Sequence, residues 1–132
     1  MGQLRAFAVT VVLAGGMLAP HAVASESDPL EKRVAITLRR DGGKVTLVLK
    51  ATDGHAYVNS AFPTWCELQS TGPIDKARLA KADFTIEDSG KPGKARSMSA
   101  LIGAQRPIHA RCRLVACSDA ACSSPFSMEA GE

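Results

Sequence analysis

The chain has 132 residues, a formal net charge of +3 and 45% hydrophobic residues, which fits one globular domain with a single core. The charges are too weak in sum and too dispersed to favour nucleic acid or an acidic polymer as a partner. Four cysteines in a chain of this size indicate an oxidising compartment and at most two disulfides.

The first 24 residues have the pattern of a secretory signal peptide. Arg5 gives a short basic start, residues 6–18 form an apolar run, and Ala22-Val23-Ala24 matches an A-x-A cleavage site. An apolar run of about thirteen residues is too short for a membrane anchor, which needs roughly 20. We therefore expect cleavage after Ala24 and a mature domain over residues 25–132 with no membrane span, located in the periplasm or secreted.

Short strand-like runs follow one another along the mature chain, each closed by a turn rich in glycine or proline. Asp41-Gly42-Gly43 joins the first two runs as a hairpin. Residues 75–82 contain helix formers and predict either one or two helical turns or a loop over one end of the fold. The predicted strands are 34–38, 44–51, 65–69, 82–87, 97–102, 108–117 and 125–128.

The spacing of these strands predicts the fold class. About seven short strands at intervals of about ten residues are typical of an all-β, immunoglobulin-like antiparallel sandwich. No segment keeps a 3.6-residue hydrophobic period long enough to build a helical layer. A closed barrel is the alternative, because the same strand pattern also supports barrels.

Strand alternation separates two of the cysteines. Between residues 108 and 117, Cys112 and Ala116 share one face, whereas Arg113 and Cys117 share the other. If Cys112 faces the core, its natural partner is Cys66 in an earlier strand. That bridge would close a loop of more than roughly 40 residues and contribute about 3 to 4 kcal/mol in the chain-entropy model. The alternative is that both are buried free thiols.

Cys117 and Cys122 form a second candidate pair. The four small residues between them, Ser118-Asp119-Ala120-Ala121, can form a hairpin-like turn that brings the two sulfurs to bonding distance. A bridge over so short a loop removes little chain entropy and is a weak stabiliser, which favours a chemical role. A structural role stays open, since most close cysteine pairs in small secreted domains are structural.

Other site chemistries have less support. A zinc site is disfavoured because C-x4-C is longer than the usual C-x2-C knuckle and only His109 is close in sequence. Cys-His catalysis is weaker still, since one of three histidines, His21, lies in the expected leader. No Ser-His-Asp arrangement or Gly-rich phosphate loop stands out, so we expect no metal and no cofactor.

Two segments resemble a known family. Val115-Ala116-Cys117-Ser118-Asp119-Ala120-Ala121-Cys122, followed closely by Pro125, resembles the C-x4-C motif of domains of the disulfide-bond-corrector type. These are similar to the N-terminal periplasmic domain of the thiol:disulfide interchange protein DsbD. Gly54-His55-Ala56-Tyr57-Val58-Asn59-Ser60-Ala61-Phe62-Pro63 resembles that family's Gly-aromatic-His-Val-Asn and Tyr-Pro region, with the aromatic-His order altered. The resemblance spans most of residues 33–128.

The resemblance implies a sandwich in which Cys117 and Cys122 pass electrons by thiol-disulfide exchange, so the chain would be a thiol:disulfide oxidoreductase module. It implies a periplasmic thioredoxin-like redox protein as partner, because the chain lacks the domains that supply electrons in DsbD. Arg113, on the predicted face of Cys117, would lower the pKa of that thiol and Asp119 would oppose it, which leaves open which of the two cysteines attacks. The alternative function is a secreted binding or accessory sandwich with two purely structural disulfides, Cys66–Cys112 and Cys117–Cys122.

Overall fold

Ten β-strands make up most of the chain that the computed structural model describes, residues 28–132. The predicted leader, residues 1–24, lies outside that range. The strands are β1 (Val34–Asp41), β2 (Lys44–Ala51), β3 (Tyr57–Asn59), β4 (Trp65–Ser70), β5 (Arg78–Leu79), β6 (Thr85–Lys91), β7 (Lys94–Gly103), β8 (Ile108–Leu114), β9 (Ala116–Cys117) and β10 (Phe126–Gly131).

Helical structure is limited to two single 3-10 turns within residues 28–132, Leu30–Lys32 and Lys81–Asp83. Neither turn approaches the length or apolar character that a membrane-crossing helix would need. The segment 75–82, expected as helical turns or a loop, forms the two-residue strand β5 and leads into the second 3-10 turn.

The strands form two antiparallel sheets packed as a sandwich. One sheet has the order β1-β2-β7-β3-β9 with β6 also paired to β7, and the other has the order β10-β8-β4-β5. The predicted all-β antiparallel sandwich is therefore confirmed, and the barrel alternative is wrong. The strand count is ten and not about seven, because β3 and β5 are too short to give an alternating pattern and the predicted last long strand is split in two.

Alternating side chains build the core between the sheets. Each inward position of β2 and β8 carries an apolar residue, while the intervening positions are charged, polar or only partly covered. Full burial of one such aliphatic side chain contributes about 1.5 to 3 kcal/mol. The inward residues are Val45, Leu47, Leu49, Ile108, Ala110, Cys112 and Leu114.

The chain changes sheet at Val115, which corrects the prediction of one strand over residues 108–117. β8 belongs to the four-stranded sheet and β9 to the other, so strict alternation stops at the junction. Val115, Ala116 and Cys117 are all buried. The predicted grouping of Arg113 with Cys117 on one strand face is therefore wrong. Leu114 to Cys117 are four consecutive apolar residues with no glycine or proline among them, so no turn signal marks the junction.

Arg40 and Glu132 join the edges of the two sheets. Arg40 Nε donates to Glu132 Oε2 at 2.9 Å and Nη2 donates to Oε1 at 2.8 Å. Glu132 Oε1 also accepts the Ile108 N–H at 3.0 Å. The hydrogen bond from Arg40 holds the pKa of the Glu132 carboxyl below its ordinary 4.5, although partial desolvation acts the other way. β1 is thereby fixed to β10 and to the start of β8.

The ion pair between Arg40 and Glu132 predicts that the protein loses stability in acid. The folded-state pKa of Glu132 is depressed, so its contribution is present above the unfolded-state pKa and is lost as pH falls through the folded-state value. We expect Glu132→Gln to lower Tm at about pH 7, and we expect the difference from wild type to shrink as pH falls below about 4. Thermal unfolding followed by circular dichroism across this range measures it.

Glu31→Gln is the matched control, because Glu31 is exposed and makes no ion pair with any residue of the described range. Its Tm should follow that of the wild type at every pH. A Glu132→Gln difference that stays constant down to about pH 3 would show that the carboxylate charge is not what stabilises the junction.

Candidate functional site

All four cysteines are bonded, in two disulfides that lie in different sheets. Cys66 is joined to Cys112 and Cys117 is joined to Cys122, with a Cα–Cα distance of 4.0 Å in each pair. No free cysteine is present between residues 28 and 132. The pairs differ in exposure and in loop length, and these differences separate their possible roles.

The Cys66–Cys112 disulfide lies inside the core. The two residues stand directly opposite each other on β4 and β8, so the bond joins neighbouring strands of one sheet. Both residues are 0% exposed and belong to the main hydrophobic cluster. A dissolved thiol can reach these sulfurs only after local unfolding.

The Cys117–Cys122 disulfide closes a small hairpin at the edge of the six-stranded sheet. Ser118 organises the turn: its N–H donates to the Ala121 carbonyl at 2.7 Å, and its Oγ accepts the N–H groups of Ala120 and Ala121 at 3.2 Å each. Below the disulfide, the Ser123 N–H donates to the Ala116 carbonyl at 2.7 Å. The predicted hairpin-like turn is therefore the geometry that the backbone adopts.

The two residues of this disulfide differ in exposure. Cys117 belongs to β9 and is 1% exposed, whereas Cys122 lies on the returning leg of the hairpin and is exposed. The sequence left open which of the two cysteines attacks in an exchange reaction. The burial of Cys117 leaves Cys122 as the accessible residue.

Tyr57 on β3 stands directly opposite Cys117 and lies on the same outer face of the sheet. Their neighbours Val58 and Ala116 are also paired and belong to the core cluster, so alternation directs Tyr57 and Cys117 outward. Tyr57 is nevertheless only 1% exposed, because three cationic side chains cover its ring. Measured to the ring centroid, these are Lys91 Nζ at 5.2 Å, Lys94 Nζ at 5.7 Å and Arg96 Cζ at 4.8 Å.

Asp119 attaches the turn to this cluster. Its Oδ1 accepts the Tyr57 hydroxyl at 3.2 Å and Lys91 Nζ at 2.5 Å, and Lys91 Nζ also donates to the Tyr57 hydroxyl oxygen at 3.0 Å. The hydrogen bond with Lys91 lowers the pKa of Asp119 below 3.8 and raises the pKa of Lys91 above 10.5. The pair is thus ionised at neutral pH, although its exposure to water keeps its contribution to stability small.

The other side of the turn borders a surface depression of about 220 Å³, lined by Arg33, His55 and residues 118–120. Arg33 is buried and makes a two-pronged ion pair with Asp53, with both N–O distances at 3.0 Å. Asp53 Oδ1 also accepts the His55 N–H at 2.8 Å. The hydrogen bond from the Arg33 guanidinium holds the pKa of Asp53 below 3.8, so the Asp53 carboxylate is ionised at neutral pH. The loop between β2 and β3 is thereby fixed beside the disulfide.

Sequence reasoning missed the cations of the site. It placed Arg113 near Cys117, but Arg113 lies on β8 in the other sheet, and the nearby positive charges are Lys91, Lys94 and Arg96. These residues are more than 20 positions from Cys117, between the predicted strands 82–87 and 97–102.

A zinc site is one of the site chemistries that the sequence raises. Within residues 28–132, no three His, Cys, Asp or Glu residues are grouped so that they could hold a metal ion. His109 lies on β8, with its Nε2 3.0 Å from Glu129 Oε1 on β10. It is in a different sheet from the Cys117–Cys122 hairpin.

No model of a known protein family matches the chain, and a comparison with curated proteins finds no significant match. The differences in exposure and loop length between the two disulfides are therefore the main evidence on function.

Proposed function

We propose that this domain carries out thiol-disulfide exchange in an oxidising compartment, through the Cys117–Cys122 pair. The observation that carries the proposal is the contrast between the two disulfides of one molecule. Cys66 and Cys112 are both 0% exposed, whereas Cys122 is exposed beside a buried Cys117. An exchange disulfide needs one sulfur that a partner can reach, and reactivity follows access as well as thiolate character.

Loop length supports the same assignment. The core disulfide spans 46 residues and the hairpin disulfide spans 5. In the chain-entropy model these loops correspond to about 4 and about 2 kcal/mol of stabilisation. The hairpin is also held by the hydrogen bonds of Ser118 and Asp119, so folding depends less on this bond.

The proposed reaction transfers two electrons. A partner thiolate attacks Sγ of Cys122, a partner–Cys122 disulfide forms, and the Cys117–Cys122 bond breaks. Cys117 leaves as a thiolate and takes up a proton. A second partner thiolate then attacks the partner sulfur of the mixed disulfide and releases Cys122, which is also protonated. The partner dithiol is oxidised to a disulfide, and Cys117 and Cys122 are reduced to two thiols; the reverse sequence reoxidises them.

Features of the sequence support a particular compartment and a particular class of partner for the exchange reaction. The signal-like leader supports export to the periplasm or secretion, and the two disulfides fit an oxidising compartment. The resemblance of the C-x4-C segment supports a periplasmic thioredoxin-like redox protein as partner. No other observation on the chain selects that class of partner.

Redox titration tests the proposal, with thiol alkylation and mass spectrometry used to count reduced cysteines at each potential. We expect Cys117–Cys122 to titrate above about −300 mV, the level below which structural disulfides typically lie. Cys66–Cys112 in the same molecule is the internal control and should stay oxidised while the protein is folded. The proposal fails if glutathione buffers leave Cys117–Cys122 oxidised in the folded protein.

A second candidate is a binding or accessory sandwich in which both disulfides are structural. It is favoured by one observation, that both pairs are bonded and at least one cysteine of each pair is buried. It predicts that replacing Cys117 and Cys122 together by serine lowers stability and leaves partner binding intact. Recovery of a partner bound covalently to a single-cysteine variant would contradict it.

A further inference from the structure

We propose that the outer face beside Cys117–Cys122 is a cationic docking surface that selects redox partners whose reactive cysteine is flanked by acidic side chains. The surface consists of Lys91, Lys94 and Arg96 over the Tyr57 ring, and it is called the cationic surface below. The inference rests on the proposed exchange function and adds the chemical character of the partner.

The cationic surface keeps an excess of positive charge. Lys91 is paired with Asp119, whose charge also interacts with Lys94, but within residues 28–132 neither Lys94 nor Arg96 forms an ion pair with a carboxylate. The one hydrogen bond of the Arg96 guanidinium is donated by Nη1 to the Gly54 carbonyl at 3.1 Å, and a carbonyl carries no net charge. Two cations over Tyr57, Lys94 and Arg96, therefore have no ion-pair partner in the described chain.

The acids of the neighbouring strand do not bind these cations. Glu87 and Asp88 lie on β6, which pairs with β7. Glu87 Oε1 accepts the Ser97 hydroxyl at 2.9 Å, and Asp88 Oδ1 accepts the Gly90 N–H at 3.1 Å. Both carboxylates keep their charge, but their hydrogen bonds are to neutral groups of their own hairpin, and neither forms an ion pair with Lys94 or Arg96.

The charges lie close enough to the disulfide to act on an approaching group. β3 is paired with β7 on one side and with β9 on the other, so β7 and β9 are two strand spacings apart, about 10 Å. The Debye length at 0.1 M ionic strength is also about 10 Å, so the attraction is only partly screened there. Tyr57 is on β3, the strand between β7 and β9, and is only 1% exposed.

This position favours negatively charged attackers. Every exchange reaction brings a thiolate to the disulfide, and an acidic flank adds further negative charge at the same place. In water, one pair of unit charges 10 Å apart changes a rate or an affinity about twofold. Lys94 and Arg96 should therefore favour an acidic partner over a neutral one about threefold at low ionic strength, with the preference decreasing as salt is added.

Three synthetic cysteine peptides test the inference. Their single cysteine is flanked on each side by two glutamates, two glutamines or two lysines. The rate at which each peptide forms a mixed disulfide with the protein is divided by its rate with a small uncharged disulfide at the same pH, which cancels differences in thiolate fraction and intrinsic reactivity. The value of about threefold applies to one negative charge, so we expect the glutamate peptide to react at least about threefold faster than the glutamine peptide at about 10 mM salt, and the lysine peptide to react slowest.

The double variant Lys94→Gln with Arg96→Gln should bring the three normalised rates together, with each side-chain stem left in place. Lys44→Gln is the matched control, because Lys44 pairs with Gly103 at the far end of β7, about 30 Å from Lys94. Should the double variant fold poorly, raising the salt to about 1 M around the wild type removes the same attraction.

The outcomes separate the two proposals. Equal normalised rates for the three peptides at low salt, with Cys117–Cys122 reduced by all of them, would overturn the cationic surface and leave the exchange function standing. A folded protein that reacts with none of the peptides would overturn both. A glutamate preference that Lys44→Gln removes as fully as the double variant would place the selectivity elsewhere.

Discussion

Replacing Cys66 and Cys112 together by alanine should lower the free energy of unfolding by about 4 kcal/mol, the largest single loss that we expect from this chain. The bond closes a 46-residue loop between β4 and β8, so its removal returns a large conformational entropy to the unfolded chain. Both positions are also fully buried, and smaller side chains there lose packing contacts. Urea denaturation of wild type and variant measures the difference.

The double replacement of Cys117 and Cys122 by alanine is the comparison for this experiment, and it should cost about 2 kcal/mol by the same model. The redox titration of Cys117–Cys122 should be unchanged in the Cys66, Cys112 variant at a temperature where it is folded. Equal losses of stability from the two double variants would contradict the division into a structural and an exchangeable disulfide.

When one cysteine of the hairpin is replaced by serine, the remaining thiol should be alkylated faster if it is Cys122 than if it is Cys117. In Cys117→Ser the remaining thiol is on the exposed Cys122, whereas in Cys122→Ser it is on Cys117, which is 1% exposed. We expect alkylation by iodoacetamide to be at least about tenfold slower in Cys122→Ser, because Cys117 must wait for local opening of the hairpin. Mass spectrometry of timed samples gives both rates.

Unfolding both variants in denaturant provides the control, since the two thiols should then react at similar rates. Cys117→Ser should also be the variant that retains a partner as a stable mixed disulfide, because the second cysteine that would release the partner is absent. Faster alkylation of Cys117 than of Cys122 in the folded variants would contradict the proposed direction of attack.

The sequence predicted the sandwich because its strands carry the two signals that pattern reading needs. Burial alternates along β2 from Lys44 to Leu49, with Val48 as the one apolar residue at an outward position of that stretch, and the predicted and observed bounds, Lys44–Ala51, agree. Gly42, with φ of +63°, closes the hairpin before it. β3 and β5 were missed because strands of three and two residues contain too few positions to show alternation.

The candidate site was only partly predictable. The closeness of Cys117 and Cys122 follows from local sequence, since four small residues favour a turn. The asymmetry of exposure depends on Val115, where the chain passes from one sheet to the other, and no residue there is a turn former. The cations over Tyr57 come from β6 and β7, and only the pairing of β3 with β7 brings them to the disulfide. That pairing is a long-range contact without a local signal.

The turn after β9 also determines which pairs of cysteines form disulfide bonds when the chain is oxidised. Cys112 and Cys117 are separated by the same number of residues as Cys117 and Cys122, so loop length alone does not distinguish the wrong pair from the right one. An extended chain places residues five positions apart at up to about 16 Å, which holds Cys112 away from Cys117. The turn at Ser118–Ala121 brings Cys117 and Cys122 to a Cα distance of 4.0 Å. Closure of that pair leaves Cys66 as the one remaining partner for Cys112, so the correct pattern follows from a turn of four small residues.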